Sequence, residues 1–185
     1  MPQWRNRLVA YHGTDDGWIY RPPGTTVRHS RGATAPFIPN IALCSAFTDF
    51  GQGFYVTTRL HQAKQWANMK VRRSGFGTYL TAIVLRFEFD RDWLAQLDAL
   101  AFVRANREYW DLVTDCRHGF PPHQRHPPSP LPYDVVYGPL SLWPQTLIIG
   151  DCDQISFHSR RSLSGFSLPV IVDFGTNPDS NDSIF

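Results

Sequence analysis

The clearest alternation in the chain runs from Thr78 to Asp90, where Tyr79, Thr81, Ile83, Leu85, Phe87 and Phe89 fall on one face. A period of two in β-branched and aromatic residues predicts a long central strand. The opposite face carries Leu80, Ala82 and Val84 before Arg86 and Glu88, so its burial should fade toward the end. Upstream the period changes. Ala63, Trp66, Ala67 and Lys70 sit at i, i+3, i+4 and i+7, which predicts a helix over His61–Arg73, with Thr58 as N-cap and Gly75 and Gly77 ending it. A second stripe, Trp93, Leu97, Leu100 and Ala101, predicts a helix over Asp92–Tyr109. Shorter apolar runs predict strands at 7–12, stopping at Gly13-Thr14, and at 52–57, 133–137, 146–149, 154–158 and 170–174.

Between these elements lie two long irregular stretches. Residues 15–46 hold Pro22-Pro23-Gly24, Gly32, Pro36 and Pro39 and predict a loop with one or two short turns of helix. Loops of that length inside a compact domain are usually functional. Residues 117–132 contain six prolines and three histidines, which predicts a surface loop. The end of the chain is polar and should fray. No repeat or linker interrupts the 185 residues, so a single domain is expected, with a core of about 7–174 and a tail of 175–185.

Composition narrows the function classes. Hydrophobic residues make up 42% and aromatics 14%, which excludes general disorder. A net charge of +2 does not demand a nucleic-acid partner. Lys64 and Lys70 are the only lysines, and the remaining cations are arginines. Arginine forks suit a pyrophosphate ligand; a GC-rich genome produces the same bias. Three cysteines, Cys44, Cys116 and Cys152, fit a reducing compartment better than a disulfide framework. No apolar h-region is visible at the start, and no run is long enough to cross a bilayer. The expectation is a cytoplasmic protein, or one delivered into a target cell without a cleavable signal.

Several chemistries lack their anchor. Ser164-Gly165 is not a Gly-x-Ser-x-Gly elbow. There is no Walker A, and Gly51-x-Gly53 leads into a strand without a third glycine. Cys116, His118, His123 and His126 are close in sequence, but their spacing fits no common zinc module, so no metal is expected.

What remains is a pair of motifs about forty residues apart: Tyr11-His12-Gly13-Thr14 and Asp49-Phe50-Gly51-Gln52-Gly53-Phe54-Tyr55-Val56-Thr57-Thr58. Together they resemble the nicotinamide pocket of ADP-ribosyltransferases of the diphtheria-toxin and poly-ADP-ribose-polymerase lineage. Asn106-Arg107 at a helix end, Tyr133-Asp134-Val135-Val136-Tyr137-Gly138-Pro139 and Asp153-Gln154-Ile155-Ser156-Phe157-His158 resemble a bacterial and fungal branch of unknown function grouped with those enzymes. The likeness runs from about Tyr11 to about His158.

The resemblance implies an α+β domain, a split β-sandwich of two small, mostly antiparallel sheets with flanking helices, binding NAD+ as co-substrate. It implies that His12 bonds the riboses, the Gly13 backbone bonds the nicotinamide carboxamide, and Tyr55 stacks on the pyridinium. Thr14 and Gly53 would flank that pocket. Arg28 and Arg31, in the loop after His12, would clamp phosphate; solvated loop arginines are the reading their residue type favours. Gln154 stands where related transferases often carry a glutamate bonded to a ribose hydroxyl. Its carbonyl accepts the same bond without full charge, a loss of ~1–2 kcal/mol and roughly a tenfold slowing. Glutamine cannot act as a general base. Asp153 points to the opposite strand face, and Asp49 reads as a turn-forming aspartate before Gly51. The expected catalytic set is therefore Gln154, Tyr55 and His12, sharing one cavity.

The function implied is mono-ADP-ribosyl transfer to a macromolecule, protein or nucleic acid, of the kind used by toxins and effectors, with an antitoxin or inhibitor as a further partner. An NAD+ glycohydrolase, and a non-catalytic module binding NAD+, ADP-ribose or a partner protein, are the alternatives.

Overall fold

The computed structural model describes residues 7–19, 30–74, 80–120 and 133–175. The fold is α+β, with two mostly antiparallel sheets and a few helices. In chain order the strands are β1 (Arg7–Asp15), β2 (Phe54–Val56), β3 (Ala82–Asp90), β4 (Ala99–Ala101), β5 (Val135–Ser141), β6 (Ile148–Phe157) and β7 (Val170–Gly175). The helices are α1 (Leu60–Arg73), α2 (Arg91–Leu94), α3 (Arg107–Arg117) and α4 (Arg160–Leu163). Among the described residues, one compact unit comprises Pro39–Tyr55 and Asp90–Gly165. The other comprises Leu8–Ile38, Val56–Phe89 and the stretch from Phe166.

The second unit is built on a three-stranded sheet in the order β1-β3-β7. Its central strand is the one the alternation predicts. Ile83, Leu85, Phe87 and Phe89 are buried on one face and Ala82 and Val84 on the other. Burial on the second face gives way to the Arg86–Glu88 ion pair at 2.6 Å. β7 pairs antiparallel with β3, with a register shift between Val84 and Leu85. Helix α1 packs Ala63 and Ala67 against Ala82 and Val84. Alanines at i and i+4 let its backbone approach closely, and Lys70, Arg72 and Arg73 favour its negative end. Trp66, expected on the buried stripe, lies at its rim, 40% exposed. Thr58 is not the N-cap. That position falls to Arg59, whose N–H is met by Thr57 Oγ1 at 3.0 Å.

The first unit holds a four-stranded sheet in the order β2-β6-β5-β4. β5 and β6 run antiparallel from Val135↔Phe157 to Ser141↔Ile148, with a shift between Pro139 and Leu140. The strands expected at 146–149 and 154–158 are one strand, β6. Its core is Phe50, Phe102, Tyr109, Val113 and Val136, with Tyr55 among the half-buried residues packed on it.

The helix expected over Asp92–Tyr109 is not there. Its segment divides into the single turn of α2, the short strand β4 and the start of α3. β4 pairs in parallel with β5, Ala99↔Val135 to Ala101↔Tyr137, and this long-range pairing overrides the helical spacing of its apolar residues. Two caps mark the true boundaries. Asp90 accepts from Asp92 N and Asn106 from Tyr109 N, so Asn106-Arg107 opens a helix instead of closing one. α3 then presents Tyr109, Val113 and Cys116 to the core at i, i+4 and i+7. The expected helical turns in the long loop are single 3₁₀ turns at Asp16–Trp18 and Ile41–Leu43. Most of the proline-rich loop, 121–132, and the tail from 176 lie outside the described residues.

Candidate functional site

The second motif begins in a turn. Thr48, Asp49, Phe50 and Gly51 close it with the Gly51 N–H on the Thr48 carbonyl at 3.2 Å. Gly51 takes φ +77°, a left-handed conformation that glycine adopts without strain. Two residues on, Gly53 is required by space. A Cβ there would overlap Ser156 Oγ and lie 2.7 Å from His158 Cε1. Between β2 and β6, therefore, the backbone approaches side chains of the opposite strand directly.

Tyr55 is anchored to this turn by its hydroxyl. Its Oη accepts from the Phe50 N–H at 2.9 Å, donates to the Gly51 carbonyl at 3.0 Å, and lies 2.7 Å from Thr48 Oγ1. The ring stacks near Phe50 with centroids 6.4 Å apart. Burial pushes the phenol well above its ordinary pKa, opposed by bonds to Thr48, Ser156 and Phe50, so it stays neutral at physiological pH.

Gln154 is tied to the same turn from β6. Its Nε2 donates to Asp49 Oδ2 at 2.7 Å and to the Pro139 carbonyl at 2.9 Å. Both partners only accept, so they determine which end of the amide is nitrogen. Oε1 is left as the end that can accept. The side chain is buried, 5% exposed.

Asp49 lies in this turn, as its position suggests, but its side chain bonds residues far along the chain. It is 1% exposed, and its carboxylate reaches across the unit. Oδ1 accepts from Arg117 Nε at 2.9 Å, Arg117 Nη2 at 2.5 Å and Ser141 Oγ at 2.7 Å. Oδ2 accepts from the Ser141 N–H at 2.9 Å as well as from Gln154. Arg117 also donates through Nη1 to the Phe47 carbonyl at 3.1 Å, at the mouth of this network. Tyr109, whose hydroxyl donates to the Pro139 carbonyl at 2.9 Å, completes it. Its phenol is raised first by burial and then by the charge of Asp49. Arg117, Ser141 and Tyr109 were not legible as site residues. The only local signal was that Tyr109 and Cys116 share the buried stripe of α3. Asp153 is expected on the face of β6 opposite Gln154, and it too is buried.

The first motif belongs to the other unit. β1 does not stop at Gly13-Thr14 but continues to Asp15, which then caps the 3₁₀ turn by accepting from Gly17 N at 3.0 Å. His12 lies in the strand with its ring 5.8 Å from that of Phe37. Gly13 has a structural reason to be glycine: a Cβ would overlap the Ala63 carbonyl oxygen and lie 2.8 Å from Ala67 N, where α1 crosses the strand. Thr14 is buried. Tyr11 and Thr57 exchange backbone bonds, Tyr11 N to Thr57 O at 2.7 Å and Thr57 N to Tyr11 O at 2.9 Å. The starting residue of the first motif is thus paired with the end of the second.

Arg31 is engaged with Asp173 at 3.0 Å, which Lys64 also contacts at 2.5 Å. Burial raises the Asp173 carboxyl, but the two cations outweigh it and hold it below its ordinary value. Arg28 lies outside the described residues. Among the zinc candidates, Cys116 is fully buried and its thiol is pushed up to about 12 by burial first and neighbouring Asp115 second, which opposes thiolate ligation. His123 and His126 lie outside the described residues.

A family model described as "Protein of unknown function (DUF3990)" matches residues 33–141, more than half of the chain. The chain belongs to this family. No curated protein and no solved structure matches it. The DUF3990 match takes in the Asp49–Thr58 motif, α1, α3 and all of β5, including Arg117 and Ser141. It stops short of Gln154 and begins after His12. No helix among the described residues is long and apolar enough to cross a membrane.

Proposed function

We propose that this chain is a mono-ADP-ribosyltransferase with the ADP-ribosyltransferase fold, taking NAD+ as co-substrate and a macromolecule as acceptor. One observation carries the reading. Tyr55 and Gln154, which the resemblance assigns to one nicotinamide–ribose pocket, are 99 residues apart in sequence yet tethered to consecutive residues of a single turn, Thr48–Gly51.

In this reading Tyr55 presents a neutral, electron-rich ring whose position is determined by its hydroxyl, suited to a cationic pyridinium. Gln154 Oε1 accepts from a ribose hydroxyl. The resemblance assigns the rest of the nicotinamide riboside to His12 and the Gly13 backbone. The C1′–N bond breaks and its electron pair leaves with neutral nicotinamide. The acceptor's lone pair then bonds to C1′, and the acceptor releases a proton. An amide at 154 cannot take that proton, and the Asp49 carboxylate is already met by five donors. This favours an acceptor that is nucleophilic without assistance over water, and hence transfer over glycohydrolysis.

The test is NAD+ labelled in its adenylate moiety, incubated with lysate before and after nuclease or protease treatment, beside Tyr55→Ala and Gln154→Ala. Label should enter one class of macromolecule, and both substitutions should suppress it and nicotinamide release. Free ADP-ribose as the sole product would establish the glycohydrolase. Binding without nicotinamide release would establish a non-catalytic module. Unchanged rates in both variants would remove Tyr55 and Gln154 from the site.

A further inference from the structure

The Gln154 amide has a buried carboxylate directly behind it. Asp49 Oδ2 accepts one of its N–H groups at 2.7 Å, and the Pro139 carbonyl accepts from the same nitrogen at 2.9 Å. Asp49 is itself held by both the Nε and Nη2 of Arg117 and by the backbone and hydroxyl of Ser141. Two features follow from elementary chemistry. Two acceptors on the nitrogen prevent the amide from flipping, so Oε1 has one orientation. An N–H donated to a carboxylate is charge-assisted and pushes electron density toward the carbonyl oxygen of the same amide. Oε1 is therefore a better acceptor than that of an ordinary glutamine.

We propose that Asp49, clamped by Arg117, is the positioning residue for Gln154, delivering negative charge to Oε1 through the amide and making residue 154 obligatorily an uncharged N–H donor. The role of Oε1 toward a ribose hydroxyl rests on the NAD+ reading above; the orientation and the exclusion of a carboxylate rest on the geometry alone. A glutamate at 154 would set a second carboxylate against Asp49 Oδ2 and the Pro139 carbonyl, with a single guanidinium, Arg117, for both charges. Among the described residues, the charged and titratable groups around Asp49 and residue 154 are Tyr55 from β2 and Arg117, Tyr109 and Cys116 from α3, with Asp49 itself in the turn; β5 contributes Ser141 and the Pro139 carbonyl.

Three measurements test this. In the wild-type protein, both Gln154 side-chain N–H resonances should be distinct and slow to exchange with solvent. A rapidly exchanging, averaged pair would overturn the proposal without any variant having to fold. In Gln154→Glu, the new carboxyl is driven above its unfolded value of about 4.3 by Asp49. Protonated, it donates one of the two bonds that Gln154 made, to Asp49 Oδ2, and leaves the Pro139 carbonyl to the Tyr109 hydroxyl. Ionised, it cannot. Its melting temperature should therefore lie nearest to wild type at about pH 4, below the unfolded value, and fall progressively further below it up to about pH 8, because a raised folded pKa contributes stability that is fully present below the unfolded value and is lost as pH rises toward the folded one. A gap that does not change with pH would overturn the proposal. Finally, Asp49→Asn, assayed below its melting transition, should lower kcat for nicotinamide release about tenfold with KM for NAD+ little changed. An unchanged kcat would overturn the electronic role. If the wild-type protein releases no nicotinamide, the NAD+ reading fails, while the first two measurements still decide how residue 154 is held.

Discussion

Replacing Asp49 by asparagine is nearly isosteric, and the bond inventory shows why it should still be costly. Three donors converge on Oδ1 and two on Oδ2. Asparagine offers one oxygen and two N–H groups. With its oxygen toward Arg117, the new NH2 faces the Ser141 N–H and the Gln154 amide nitrogen. Gln154 cannot resolve the conflict by flipping, because its nitrogen also serves the Pro139 carbonyl at 2.9 Å. The backbone N–H of Ser141 is then buried without an acceptor, a penalty of about 1–3 kcal/mol, and the Arg117 bonds lose charge assistance, a further ~1 kcal/mol. The sum is about 3 kcal/mol. In a chain of this length each kcal/mol moves Tm by about 2–4 °C, so calorimetry at neutral pH should show a fall of about 6–12 °C. A fall under about 2 °C would mean that Asp49 does not organise this unit, and the account of Gln154 would lose its foundation.

Arg117→Met strands the Asp49 charge. Removing one partner of a buried pair costs about 3–5 kcal/mol, but Arg117 is 30% exposed and water reaches it, so about 2–3 kcal/mol is expected in urea unfolding. Arg107→Met, at a residue 95% exposed, should stay within about 0.5 kcal/mol of wild type; equal effects of the two would refute the distinction. Tyr55→Phe keeps the ring but leaves the Phe50 N–H without its acceptor, which should lower stability by about 1–2 kcal/mol and suppress nicotinamide release less than Tyr55→Ala does. In alkaline titration followed at the phenolate band, Tyr55 and Tyr109 should ionise only as the protein unfolds. Raised folded values mean their stabilising contribution is intact below the unfolded phenol value of about 10 and is lost as pH rises beyond it. Two early-ionising tyrosines assigned to these positions would refute their burial. A thiol reagent should label Cys44 and Cys152, which are half-buried, and leave Cys116 unmodified until the chain unfolds.

The sequence by itself determined the elements whose cause is local. Strand β3 and helix α1 were legible because their apolar residues recur at the period of the backbone that carries them, with opposite faces and charged ends to match. Strand β7 was legible as a short apolar run at 170–174, and the two 3₁₀ turns only as turns expected somewhere within residues 15–46. Tertiary structure decided what depends on partners distant in the chain. Between Asp92 and Tyr109 the apolar spacing suits a helix, yet parallel pairing with β5 draws Ala99–Ala101 into an edge strand, since its ladder hydrogen bonds outweigh local helical preference. Gly13 read as a close approach for a ligand, and the fold adds a reason of its own for glycine, a helix backbone crossing on its Cβ side. Asp49 looked like one more turn aspartate. Its partners lie 68, 92 and 105 residues away. No local pattern encodes a buried carboxylate's company, because Coulomb attraction and the cost of burying an unpaired charge act through space, and the chain must fold before they can choose.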